Sequence, residues 1–260
     1  YMTTKKSVIF FCSIPNAKGC DVIVNAAGHV AQAAGNRDGE LFCTAEETKK
    51  WAPHIKGYKG VIVTIANPCD VVATMVWKLA ELEPRQVVGS GTALDSARFR
   101  HALWDATGYN PNSITSWMIG EHGASQFAAW SHVSFGATPL AELEKSDPKH
   151  FSFDKDAIEE AARMGGYVTY AGKQCTEYSV ANAATELVKA VVQDSKLITP
   201  AGTLLEDVYG ESGHYSSIPC VIGKDGVEAT FPLELSADEQ EKFHASCKHI
   251  QDNLEKVRCW

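Results

Sequence analysis

The segment Leu94-Asp95-Ser96-Ala97-Arg98-Phe99-Arg100 sets a carboxylate and a guanidinium three positions apart, and on a helix such positions share a face. Two outcomes are open to Asp95 and Arg98. They can close a surface ion pair with each other, or, if the helix start is buried, each charge requires a partner or a task. The preceding Val87-Val88-Gly89-Ser90-Gly91 is an apolar strand that runs into the helix and would bury its first turn. A second polar group, His122, sits in Gly120-Glu121-His122-Gly123 at the end of an apolar run. Between glycines at a strand terminus an imidazole can face a crevice, where a carboxylate fixes its tautomer and raises its pKa. Eight other histidines dilute this signal. Asn67 precedes Pro68, which biases it toward extended backbone; it can hold its amide over a ligand or simply end a strand in a turn.

These groups need a frame. Short β-branched runs at 7–11, 21–28, 60–68 and 85–91 predict strands buried on both faces of a parallel sheet, with a helix over 69–82 between two of them. Two runs end in Asn25-Ala26-Ala27-Gly28 and Ala66-Asn67-Pro68, which suits a ligand crevice at the carboxyl ends of the strands. Beyond residue 91 the pattern changes to longer helices, at about 156–169 and 179–193, the latter with Val180, Ala184, Leu187 and Val191 on one face. Gly223-Lys224-Asp225-Gly226 predicts a hairpin turn. Ser236 and Glu239 form a capping box that opens a last helix striped by Phe243, Cys247, Ile250, Leu254 and Val257. The expected fold class is α/β: a partial Rossmann-type parallel sheet in a dinucleotide-binding domain at 1–90, then a mixed α+β catalytic domain at 91–260.

The chain of 260 residues, 45% hydrophobic and 22% charged, is long enough and apolar enough for a sizeable core, so disorder is a poor description. No apolar run reaches the roughly 20 residues of a membrane span. A formal charge of −8 without basic clusters disfavours nucleic acid as a partner. Eight scattered cysteines without a C-x-x-C pair suit free thiols in a reducing cytoplasm, and no pair of histidines or cysteines has ligand spacing supported by a second pair, so a metal site is not expected.

Taken in order, "NAAG", "IANPCDVV", "GSGTALDSARFR" and "GEHGASQFAAWS" resemble the lactate and malate dehydrogenase family, and within it the L-2-hydroxyisocaproate branch. The resemblance runs from about residue 7 to the C-terminus. It implies an NAD-dependent L-2-hydroxyacid dehydrogenase, a homo-oligomer of two or four subunits acting on a small 2-keto or 2-hydroxy acid. In that family Arg98 would grip the substrate carboxylate, Asp95 would orient His122, and His122 would exchange a proton with the substrate oxygen. Asn67 and Thr176 would line the substrate pocket; Gly28, Ala66 and Asn67 would meet the cofactor; Arg37 would close over the substrate on a loop. Where malate enzymes carry an arginine after "AAG", this chain has His29-Val30-Ala31-Gln32, so malate is disfavoured; Ala31 would leave room for a larger apolar side chain, whereas a one-residue shift would put Gln32 there, as in lactate enzymes.

The family pattern also opens with a G-x-G-x-x-G turn, which this sequence lacks. Its absence keeps a second reading open, a non-catalytic relative that serves as a binding or oligomerisation module. A Ser-His-Asp hydrolase reading of Gly210-Glu211-Ser212-Gly213-His214 fails the G-x-S-x-G pattern at His214.

Overall fold

A computed structural model describes residues 14–28 and 40–260. The first half alternates strand and helix: α1 (Ile14–Ala17), β1 (Val22–Asn25), α2 (Leu41–Trp51), β2 (Val61–Thr64), α3 (Cys69–Ala80), β3 (Val87–Gly89) and α4 (Ala93–Thr107). Short strands follow: β4 (Ile114–Thr115), β5 (Met118–Ile119), β6 (Phe127–Ala128), β7 (Ser134–Phe135) and β8 (Thr138–Pro139). Next come α5 (Leu140–Ser146), α6 (Pro148–Phe151), α7 (Lys155–Lys173) and α8 (Glu177–Gln193). The chain closes with β9 (Leu197–Leu204), β10 (Tyr215–Gly223), β11 (Gly226–Thr230) and α9 (Ala237–Val257).

The reading of β2 as a strand buried on both faces is borne out, and the side chains show why. Val61 and Val63 pack with Leu187, Ala190 and Val191 of α8. Ile62, on the other face, packs with Val72, Val76 and Ala80 of α3. Strands β1, β2 and β3 are parallel, with Val24 opposite Val63 and Val63 opposite Val88. The predicted strand at 7–11 lies outside the described residues, and among those described β1 pairs with β2 alone.

The main sheet does not stop at residue 90. Its order is β1-β2-β3-β9-β10-β11, so strands from the second half extend it with antiparallel pairing. The join is the pair Gly89 and Gly202, where a Cβ built on Gly202 would stand 3.0 Å from Gly89 Cα. Backbones this close admit only glycine. The predicted hairpin is present, with Gly223 opposite Gly226, and so is the capping box of Ser236 and Glu239 that starts α9.

Helix α7, expected at about 156–169 and so already through Gly165 and Gly166, continues to Lys173. It persists because its neighbour holds it: Ile158 and Ala162 pack with Phe99 and Leu103 of α4. Helix α9 buries Phe243 and Cys247 against Ile119, Phe127 and Ile218, and Ile250 and Leu254 against α2 and α3. Phe243 is wholly buried, and its truncation to alanine would cost about 3–5 kcal/mol. Among the described residues no helix is long and apolar enough to cross a membrane.

Candidate active site

Helix α4 begins without a side-chain cap, because Thr92 spends its groups on other elements. Its hydroxyl donates to the Met118 carbonyl at 2.5 Å and its N–H donates to Ser217 Oγ at 3.1 Å. Ser96 Oγ accepts the Met118 N–H at 2.8 Å. The first turn of α4 is thereby fixed to β5 and β10, and Asp95 lies inside it with no exposed surface. A helix N-terminus favours negative charge, which lowers the cost of burying this carboxylate.

Asp95 holds two partners at once. Oδ2 lies 2.6 Å from His122 Nδ1, and Oδ1 accepts from Arg98 Nη1 at 2.7 Å. A carboxylate can only accept, so the His122 proton sits on Nδ1. The surface ion pair is excluded by this burial, yet Asp95 and Arg98 do pair: one carboxylate orients both the imidazole and the guanidinium. Arg98 keeps 16% of its side-chain surface exposed and His122 9%, against none for Asp95. The two cationic or protonatable heads therefore sit at the rim and their shared acceptor beneath them.

The backbone of His122 is clamped as well. Its N–H donates to Asp70 Oδ2 at 2.7 Å, from the first turn of α3. The neighbouring Glu121 N–H donates to Ser246 Oγ of α9 at 2.6 Å. The Glu121 carboxylate is buried, accepts from the Ser125 hydroxyl at 2.5 Å and lies 3.4 Å from His249 Nε2. Gly120 is bonded in both directions to Ser217 of β10. Asp70, Ser246 and Ser217 escaped the sequence reading. Asp70 was the most accessible of them, as an acid three residues beyond Asn67 in the buried turn after Pro68.

The remaining expected residues are placed as follows. Ala66 is buried, and Asn67 follows it on a cis peptide bond to Pro68. Asn67 Oδ1 is buried without a hydrogen-bond partner among the described residues. Gly28 follows β1 and presses on α2; a Cβ there would stand 3.1 Å from Thr44 Oγ1. Thr176 occupies the N-cap of α8, but its side chain makes no capping bond. Arg37 and Ala31, with the rest of 29–39, lie outside the described residues. The hydrolase alternative has no nucleophile and base in contact: Ser212 Oγ accepts from the Asp207 N–H at 2.8 Å, and His214 Nδ1 faces the Ser212 carbonyl at 3.2 Å.

Residues 92–259 match the family model for the lactate/malate dehydrogenase alpha/beta C-terminal domain. The chain is 34% identical over 243 residues to L-lactate dehydrogenase 1 of Bifidobacterium longum, covering 92% of this chain and 77% of the relative. It is 28% identical over 258 residues to L-lactate dehydrogenase 3 of Bacillus cereus, covering 98% and 82%. Among solved structures, minor L-lactate dehydrogenase from Enterococcus mundtii superposes with a TM-score of 0.88 at 25% identity, covering 96% of this chain and 80% of that one. Malate dehydrogenase of Cryptosporidium parvum superposes with a TM-score of 0.87 at 25% identity, covering 95% and 79%. A family match over most of the chain, found with the same fold and with a buried carboxylate joined to a histidine and an arginine, leaves one conclusion: the chain belongs to the lactate/malate dehydrogenase family.

Proposed function

We propose that the chain interconverts a 2-keto acid and an L-2-hydroxy acid with NAD as the hydride carrier, and that the substrate side chain is apolar. The observation that carries this reading is the double hold of Asp95 on His122 and Arg98, at 2.6 and 2.7 Å. Relatives that bear the name L-lactate dehydrogenase support the reaction class.

The residues fit the nicotinamide end of such a cofactor. Ala66, Asn67 and Gly28 stand at the carboxyl ends of parallel strands, where dinucleotides bind, and Asn67 Oδ1 is a buried acceptor that lacks a donor among the described residues. The bound cofactor supplies or accepts the hydride. All other steps fall to side chains of the chain itself.

Arg98 grips the substrate carboxylate with its planar fork, while its bond to Asp95 keeps the fork from rotating. With Nδ1 committed to Asp95, proton exchange with the substrate oxygen falls to His122 Nε2. The negative charge of Asp95 stabilises the imidazolium in the oxidation direction. Thr176, whose hydroxyl caps nothing, lines the substrate pocket, and Arg37 and Ala31 act on the same substrate. The division into a cofactor-binding part at 1–90 and a substrate part at 91–260, a cytoplasmic location and a homo-oligomeric state complete the reading.

The test is NADH oxidation at saturating cofactor with 2-ketoisocaproate, pyruvate and oxaloacetate, in parallel on the parent and on His122→Asn. Turnover of an apolar keto acid by the parent alone is the expected result. A folded parent that turns over none of the three would overturn the assignment in favour of a binding or oligomerisation module.

A further inference from the structure

The loop between β9 and β10 and the middle of α9 bring together three unlike donors: the Glu211 carboxylate, the His214 imidazole and the Cys247 thiol. One ligand atom from each lies within 4.8 Å of the others. His214 is 2% exposed and Cys247 is wholly buried, while Glu211 sits at the rim.

The hydrogen bonding of His214 points to a ligand. Its Nδ1 has the Ser212 carbonyl at 3.2 Å as its nearer neighbour, with the Gln251 amide at 3.5 Å. A carbonyl can only accept, so Nδ1 carries the proton and Nε2 carries the lone pair. Nε2 is buried and has no hydrogen-bond partner among the described residues. A buried acceptor without a donor is costly, and a cation removes that cost. An imidazole whose second nitrogen donates to a backbone carbonyl is also the usual arrangement of a metal ligand. Glu211 is oriented in the same way: its Oε1 lies 2.7 Å from His244 Nδ1 and its Oε2 accepts from Gln251 Nε2 at 3.1 Å.

We propose that Glu211, His214 and Cys247 bind one divalent transition-metal ion of the zinc or cobalt type, with water or His244 in the fourth position. Thiolate, imidazole and carboxylate together select such an ion over magnesium or calcium. Metal-to-donor distances of about 2.0–2.3 Å require the donors to close by about 1 Å, within the reach of small side-chain rotations. Burial raises the Cys247 thiol far above the usual range and lowers His214. The thiol loses its proton to water as the sulfur–metal bond forms. The site adjoins the catalytic region through one peptide unit, because Ser246 holds the Glu121 N–H beside His122.

The experiment is titration of the chelator-treated full chain with cobalt(II), read as visible d–d bands and a near-ultraviolet thiolate-to-cobalt band, followed by displacement with zinc. One cobalt per chain is expected, with the thiolate band lost in Cys247→Ser. Binding should weaken at least about tenfold in His214→Gln and in Glu211→Gln, since even residues behind a metal ligand carry roughly ten- to hundredfold effects. Absence of the thiolate band in the parent would overturn the proposal. So would a band and affinity that survive unchanged in His214→Gln and Glu211→Gln, which assigns the signal to another cysteine whether or not Cys247→Ser folds.

Discussion

Replacing Gly165 with alanine tests whether Arg98 is positioned by the space left for it on α7. A Cβ at residue 165 would stand 2.8 Å from Arg98 Cδ and 3.1 Å from its Nε. Carbon atoms settle at about 3.5–4.0 Å, so the arginine stem must retreat by about 1 Å. Within a helix, alanine is favoured over glycine by about 0.5–1 kcal/mol; a freely yielding neighbour would make the variant more stable. Arg98 does not yield freely, because its Nη1 is fixed to the buried Asp95 at 2.7 Å. Misaligning one charge-assisted hydrogen bond costs about 1.5–3 kcal/mol, which corresponds to roughly ten- to hundredfold in the KM for the keto acid, with kcat changed less. The assay is steady-state reduction of 2-ketoisocaproate by NADH, together with urea unfolding of both proteins. A variant that gains helix stability and keeps its KM would refute the argument, since it would show that the arginine finds its place without the glycine.

Three further outcomes follow from the same geometry. Asp95→Asn should lower turnover by roughly 10²–10⁴-fold through loss of imidazolium stabilisation, and should cost about 3–5 kcal/mol in unfolding free energy as a broken buried pair. Gly91→Ala should destabilise by about 2–4 kcal/mol in a urea titration, because its φ is +52° and the new Cβ would stand 2.5 Å from Gly202 N and Ser217 Oγ. Burial pushes Glu239 up, but hydrogen bonds from Ser131 and Ser236 outweigh it and hold the carboxyl below its ordinary value. A depressed folded pKa stabilises above the unfolded carboxylate range near about 4.3 and loses that contribution as pH falls through the folded value. Ser131→Ala should therefore cost about 1–2 kcal/mol at neutral pH, and the gap from the parent should narrow in acid; an equal gap at both pH values would place the effect elsewhere.

Much of the local structure was legible because it depends on neighbours in sequence. The apolar run at β2, the Gly223–Gly226 turn and the Ser236 capping box each contain their own physical cause, and each forms where expected. The grouping of Asp95, Arg98 and His122 was legible for a different reason, as residue types in a recognisable order. What stayed hidden depends on contacts between distant segments. No local pattern says that β9 would extend the parallel sheet through Gly202, that Asp70 would take the His122 N–H, or that Gly165 would make room for Arg98. Likewise Glu211, His214 and Cys247 carry no spacing that announces a cluster, because a loop and a remote helix assemble it.

The fixing of the α4 start to β10 has a consequence for how the molecule comes into being. The Thr92 N–H waits for Ser217, and the Glu121 N–H for Ser246, each 125 residues further along. Contacts of such sequence separation form late and slow the search for the native state. On a ribosome, Asp95, Arg98 and His122 emerge well before the strand and helix that lock their backbones. The candidate site is therefore assembled last, by residues late in the sequence, although Asp95, Arg98 and His122 are made in the middle. A nascent chain halted before β10 would hold the three side chains in order without the geometry that makes them a site.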